Sequence, residues 1–207
     1  MGQNYLLKGN HMNEKTQTID PTPLGNITTG IVLLTLWPIL FGLSDTTAMI
    51  AVLPWSAMAL PLVILTSVVA FRHGHVLGAV ANGVMSGLTL CQNAVWAMVL
   101  IAYQAGSREL PASVLAAKGL VDGAAYLGAA FMLACIGLIF HRLKNISMAL
   151  SMAVICLGFC CMGTSDLGLM ELRLPAALCI TLFALWMIYS GCAMLAHTAL
   201  GKKLLPY

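Results

Sequence analysis

Six long apolar stretches occupy most of this 207-residue chain, and they restrict it to one class of fold. A run of about 20 nearly uncharged residues is what a helix needs to cross a hydrocarbon core about 30 Å thick. In hydrocarbon every backbone N–H and C=O must find its partner within the protein, and continuous apolar runs achieve this as helices. The runs predict helices over 26–44, 47–71, 76–103, 117–141, 146–163 and 175–198. Six such spans use roughly 120 residues, so the remainder suffices only for short links and tails. The expected organisation is a polar cytoplasmic tail over 1–19, a six-helix transmembrane domain over 20–200 and a cytoplasmic tail over 201–207. In the first tail, His11-Met12 reads as a cloning remnant ahead of a natural start at Met12. No apolar signal-peptide core is expected before the first span.

Composition excludes several function classes. The chain is 60% hydrophobic and 8% charged, against about 25% charged in soluble domains. That leaves too little polar surface to cover a water-exposed globule or a separate enzyme domain. The formal charge of +3, with no basic run beside an aromatic platform, argues against nucleic-acid binding. The seven cysteines lie in or at the edges of apolar runs, with no C-x-x-C pair and no histidine at zinc-ligand spacing. They read as small membrane hydrophobes, and neither a metal nor a cofactor is expected. Gly-x-Ser-x-Gly, His-Glu-x-x-His and phosphate-cradling glycine loops are all missing, so no enzyme is expected either.

Lysine and arginine set the orientation. Lys8, Lys15, Arg72, Arg142, Lys144, Lys202 and Lys203 fall in the tails and the links after the second and fourth runs. Arg108, Lys118 and Arg173 fall on the other side. Both termini are therefore expected in the cytoplasm, most simply across a plasma (inner) membrane.

Polar chemistry inside the spans concentrates in the third. Asn82, Ser86, Thr89 and Asn93, spaced 4, 3 and 4, share one face of an ideal helix, with Gln92 and Trp96 beside them. Amides in hydrocarbon are costly unless paired or wetted. The face is therefore either a helix–helix hydrogen-bond seam or the lining of a path for a small polar solute. Gly83-x-x-x-Gly87 permits close helix approach. Asp122 lies four residues after Lys118, which reads as an i,i+4 ion pair or as a proton-carrying carboxylate. No span holds a lysine or arginine placed to clamp a bare anion. An anion would have to be held by N–H groups at helix starts, or the solute would pass neutral.

One segment narrows the class. Asp20-Pro21-Thr22-Pro23-Leu24-Gly25 resembles the Asn-Pro-[Ala/Val]-Pro-Leu-Gly signature of the acetate uptake transporter family, the succinate–acetate permeases. Phe71-Arg72-His73-Gly74-His75-Val76-Leu77-Gly78 resembles that family's link between helices 2 and 3, and Gly201-Lys202-Lys203-Leu204-Leu205-Pro206 resembles its tail. The resemblance implies an all-helical protomer with its own pathway, assembled as a hexameric ring. It also implies passage of acetate, and in some members succinate, by a channel or proton-linked carrier. The signature's contribution to the solute site maps to Asp20, Pro21, Pro23, Leu24 and Gly25, followed by Thr28 and Thr29. The family's asparagine is Asp20 here, an aromatic is Thr29, a glutamate is Ala70, a third-helix tyrosine is Met85 and a fifth-helix leucine is Cys156. Each has a structural alternative. The prolines can simply shape the chain ahead of the helix, the threonines can bond back to helix carbonyls, and Met85 can be packing.

The reading is an all-α integral membrane protein of six transmembrane helices per protomer, forming a ring oligomer. It is a transporter or channel for small monocarboxylates, with lipid and a homo-hexamer as its partners. The path is expected between the Asp20–Gly25 segment and the Asn82–Asn93 face, with Thr29, Met85 and Cys156 at its narrow parts. A channel for small neutral solutes such as amides, or a non-transporting scaffold or sensor, are the alternatives.

Overall fold

The structure, a computed structural model, describes residues 20–201. The expected tail over 1–19, and all but Gly201 of the tail over 201–207, lie outside the described residues. All regular structure among those described is helical: α1 (Thr22–Thr35), α2 (Trp37–Leu40), α3 (Met49–Arg72), α4 (Val76–Met85), α5 (Gln92–Ala105), α6 (Ala112–Arg142), α7 (Ile146–Asp166) and α8 (Arg173–Leu200). A π-helical turn, Ser86–Cys91, joins α4 to α5 as one rod. Five rods are long and apolar enough to cross a membrane: α3, the Val76–Ala105 rod, α6, α7 and α8.

The first run differs from its expectation over 26–44. It begins earlier, at Thr22, and breaks at Leu36 before the short α2. Pro38 has no N–H to offer Leu34, and its ring crowds that carbonyl. The chain tightens to three-residue bonds there, Leu36 N–H to Leu33 O at 3.2 Å and Ile39 N–H to Leu36 O at 3.1 Å. The fourth run also differs. It starts at Ala112, five residues before the expected 117. The fifth extends to Asp166, which takes Ser165 into α7.

Helix ends follow local chemistry. Asn145 caps α7, its Oδ1 accepting from Met148 N–H at 3.1 Å. The rods ending at Arg72, Ala105, Arg142 and Asp166 are each closed by a left-handed residue: Gly74, Ser107, Lys144 and Gly168. At Gly74 the bonds are His75 N–H to Ala70 O (2.9 Å) and Gly74 N–H to Phe71 O (3.1 Å), which satisfy two end carbonyls. In the Asp45-Thr46-Thr47 turn, the hydroxyl and N–H of Thr47 hold the exposed Asp45 carboxyl below the usual range.

The rods close into a ring. α7 lies between α6 and α8, α1 between α8 and α3, α3 beside α4 and α5, and α4 returns to α6. One buried apolar cluster fills the centre, with Leu33, Met85, Leu133, Ile155, Phe159 and Phe183 drawn from five rods. Polarity is arranged opposite to a water-soluble bundle. Ser56, Thr66 and Ser190 are almost fully buried, while Phe131 and Met58 are 75% and 73% exposed on the outer surface. An outer surface of this kind suits lipid, and the chain is an integral membrane protein. Close helix approach rests on small residues. A Cβ at Gly163 of α7 would lie 2.8 Å from Gly123 O of α6, so neither position admits a side chain without parting the helices.

Candidate functional site

Two cavities enter the ring from opposite ends. The first opens toward the end that carries Arg72, Arg142 and Lys144, here termed the basic end. It has a volume of about 40 Å³ and is lined by Asn26, Asn82, Met85, Leu133, Phe183 and Met187, among others. The second opens at the far end. It has a volume of about 150 Å³, and its polar wall comprises Thr89, Gln92, Asn93, Lys118, Asp122, Tyr126 and Asp166. A closed cavity of that volume in another protein holds benzene, so a solute of a few heavy atoms fits. Between the two stands the central apolar cluster. Leu33 and Phe159 wall the far cavity, Met85 and Leu133 wall the basic-end cavity, and Ile155 between them is fully buried.

The stripe on the third rod serves both cavities. Asn82, Ser86, Thr89 and Asn93 are 5–6% exposed. Ser86 and Thr89 bond back to their own rod, to Gly83 O and Met85 O. Neither the amide of Asn82 nor that of Asn93 has a hydrogen-bond partner among the described residues, and each faces a cavity. The seam reading therefore fails on this face, since none of these four side chains bonds to another helix. A π turn marks the division. The turn lies between Asn82 and Asn93, which stand about 16 Å apart along the rod at 1.5 Å per residue, so Asn82 serves the basic end and Thr89 and Asn93 the far end. The two glycines of the Gly83-x-x-x-Gly87 pattern also differ. A Cβ added at Gly83 would lie 3.1 Å from Ser67 Oγ of α3, while one at Gly87 would meet open space.

Charge collects at the far cavity. Lys118 is ion-paired with Asp122 and its Nζ lies 4.8 Å from the centroid of the Trp96 ring. Gln92 Nε2 donates to the same Asp122 oxygen at 3.2 Å, which leaves Gln92 Oε1 buried without a donor. Asp166 enters from α7 with no ion-pair partner among the described residues. The nearby Arg173 is paired with Glu171 at 3.8 Å.

The signature segment is positioned by the start of α1. Asp20 is exposed, and its Oδ1 accepts from Thr22 N–H (2.9 Å) and Thr22 Oγ1 (2.6 Å), so its charge rests on the helix start at the basic-end mouth beside His75. Pro21 is half-buried and its carbonyl accepts from Gly25 N–H at 3.3 Å. Pro23 is buried against α8, where its carbonyl lies 2.9 Å from a Cβ placed on Gly191. Leu24 points outward, at 43% exposure. Gly25 is needed for contact, because a Cβ there would lie 2.6 Å from Thr66 Cγ2 and 3.3 Å from the Asn82 amide. Thr28 is half-buried. Thr29 is 1% exposed, its hydroxyl has no partner among the described residues, and it lines neither cavity. Cys156 also lines neither, because Sγ turns to α6 and donates to Ala130 O at 3.2 Å. The α7 side chains nearest to it in sequence that do reach the cavities are Met152 and Phe159, one turn to either side.

Several site residues fall outside the sequence motifs. Asn26 is buried, lines the basic-end cavity and donates from Nδ2 to Ser190 Oγ at 3.2 Å. Its place directly after the signature glycine was the available cue. Tyr126 follows Asp122 by four residues on α6, so helical spacing was its cue, whereas Asp166, 40 or more residues from both, joins them only through the fold.

These features define an integral membrane protein of all-helical fold with a cavity at each end of its ring. Among solved structures, the fold matches one described as the bacterial acetate channel SatP. The TM-score is 0.71 at 15% identity, covering 91% of this chain and 98% of that one. No protein-family model matches the sequence, and no curated protein matches it.

Proposed function

We propose that this chain is a transmembrane channel or carrier for small monocarboxylates, acetate first and succinate by family resemblance. The observation that carries the reading is the pair of amide-bearing cavities, Asn82 on one side and Asn93 on the other, aligned across an apolar plug. The fold shared with an acetate channel and the signature resemblance at Asp20–Gly25 support the same reading. The pathway follows Asn82, Met85, Thr89 and Asn93, with Asp20 at its basic-end mouth. The run Thr22–Leu40 is the sixth crossing. Its 19 residues reach about 28 Å at 1.5 Å each, close to the hydrocarbon thickness. The basic end is cytoplasmic, in a plasma (inner) membrane, and protomers assemble as a hexamer.

Radiolabelled acetate uptake into liposomes carrying the purified protein tests the reading. Saturable uptake above that of empty liposomes is expected, and folded protein giving none would overturn it. A rise with an inward proton gradient identifies proton linkage, and indifference to the gradient identifies a channel. The two unpartnered amides also favour a second reading, passage of small neutral amides. Acetamide competing better than acetate would select it.

A further inference from the structure

The far cavity is asymmetric in charge. Two carboxyl groups and one ammonium line it: Asp122, Asp166 and Lys118. Lys118 is committed twice, to the Asp122 carboxylate and to the face of Trp96. Asp122 holds Lys118 and the Gln92 amide. Asp166 is left with no ion pair among the described residues. The charged and titratable groups around it are Lys118, Asp122 and Tyr126 from α6, Glu171 from the preceding link of α8, and Arg173 from α8 itself, which Glu171 engages. The cavity thus holds two carboxyl groups against one cation, and that cation, alone among its described lining residues, is paired with Asp122, so Asp166 when ionised is a negative charge that no ion pair balances. Asn93 lines the same cavity, 6% exposed and without a protein partner among the described residues. A buried amide of that kind requires a solute or water that can both donate and accept.

We propose that the far cavity is a charge filter in which Asp166 rejects the free carboxylate anion and Asn93 receives the uncharged form of the solute. The filter rests on the monocarboxylate reading and gives it a specificity-determining pair. A like charge a few ångströms away in a partly wetted cavity disfavours an anion by roughly one to two orders of magnitude. A neutral acid or amide escapes that repulsion, and its donor–acceptor edge matches the amide of Asn93. Gln92 Oε1 adds a second acceptor held in place by the Nε2–Asp122 bond.

Two probes of similar size, one charged and one neutral, test the filter in the full-length protein at neutral pH. Acetate current is read across planar bilayers under a potassium acetate gradient. Acetamide movement is read by stopped-flow light scattering of proteoliposomes. Wild type is expected to move acetamide faster than empty vesicles while carrying no acetate current above the bare bilayer. Asp166→Asn should open an acetate current at least tenfold above wild type. Asp122→Asn, which releases Lys118, should do the same and carries the test if the first variant does not fold. A wild-type acetate current as large as that of the variants overturns the filter and leaves the monocarboxylate path standing. Folded variants that open no current also overturn it. Wild type that moves neither probe overturns the filter, and the transport reading is then decided by the radiolabelled acetate uptake.

Discussion

Thr29 and Asn93 are both nearly buried and both lack a hydrogen-bond partner among the described residues, yet their surroundings differ. Asn93 faces a cavity where a solute or water can reach it, whereas the Thr29 hydroxyl is enclosed with nothing to bond. An enclosed hydroxyl without a partner carries a desolvation cost of about 1–3 kcal/mol. Thr29→Val keeps the shape and removes that group, so it is expected to raise stability by up to about 1 kcal/mol, read as a higher thermal midpoint of the purified protein. A lower midpoint would mean that the hydroxyl has a partner. Thr29→Phe overpacks the same site and should cost about 1–3 kcal/mol, so a slowed flux in that variant would report damage before it reported a narrowed pore. At Asn93 the expectation is the reverse. Asn93→Leu should leave the thermal midpoint nearly unchanged and slow acetate or acetamide movement at least tenfold relative to wild type, read in the same proteoliposomes.

Elements end and approach one another by rules that single positions can test. Lys144 has φ +59° where Gly74 and Gly168 close the equivalent turns. A side chain in that region is crowded by the neighbouring carbonyl, which glycine avoids. Lys144→Gly is therefore expected to stabilise by about 0.5–1 kcal/mol, measured by thermal unfolding in detergent. The Gly123–Gly163 contact runs the other way. Gly163→Val places a branched side chain against the backbone of α6 and should destabilise by about 1–3 kcal/mol or more. A folded variant with wild-type stability would show that α6 and α7 can separate freely.

At the scale of the whole molecule, the central cluster does two things at once. It supplies the packing that joins the rods, and it separates the two cavities. Met85 belongs to both roles, being 4% exposed and on the wall of the basic-end cavity. Met85→Ala should lower stability by about 2–4 kcal/mol and raise acetate flux several-fold, because the lost volume lies beside the path. Lower stability with unchanged flux would place the path elsewhere. The same coupling bears on how much could be read before the fold. Membrane insertion, helical structure and five of the six long runs were legible, since hydrocarbon forces long uncharged segments to pair their own backbones. The Asn145 cap and the turns at Gly74 and Gly168 were local as well. The Leu36 break was within reach, because Pro38 stood in the run, but how a bundle accommodates a proline depends on its neighbours. The π turn left no mark in the spacing of Asn82 to Asn93, and the spacing gave one stripe where the fold has two cavities at different heights. The meeting of Gln92, Asp122 and Asp166 joins three rods across 74 residues from 92 to 166. Periodicity states which side chains share a face of one helix. It does not state which helix that face meets, and that is settled by the rotation at which small residues such as Gly25, Gly123 and Gly163 let the backbones touch.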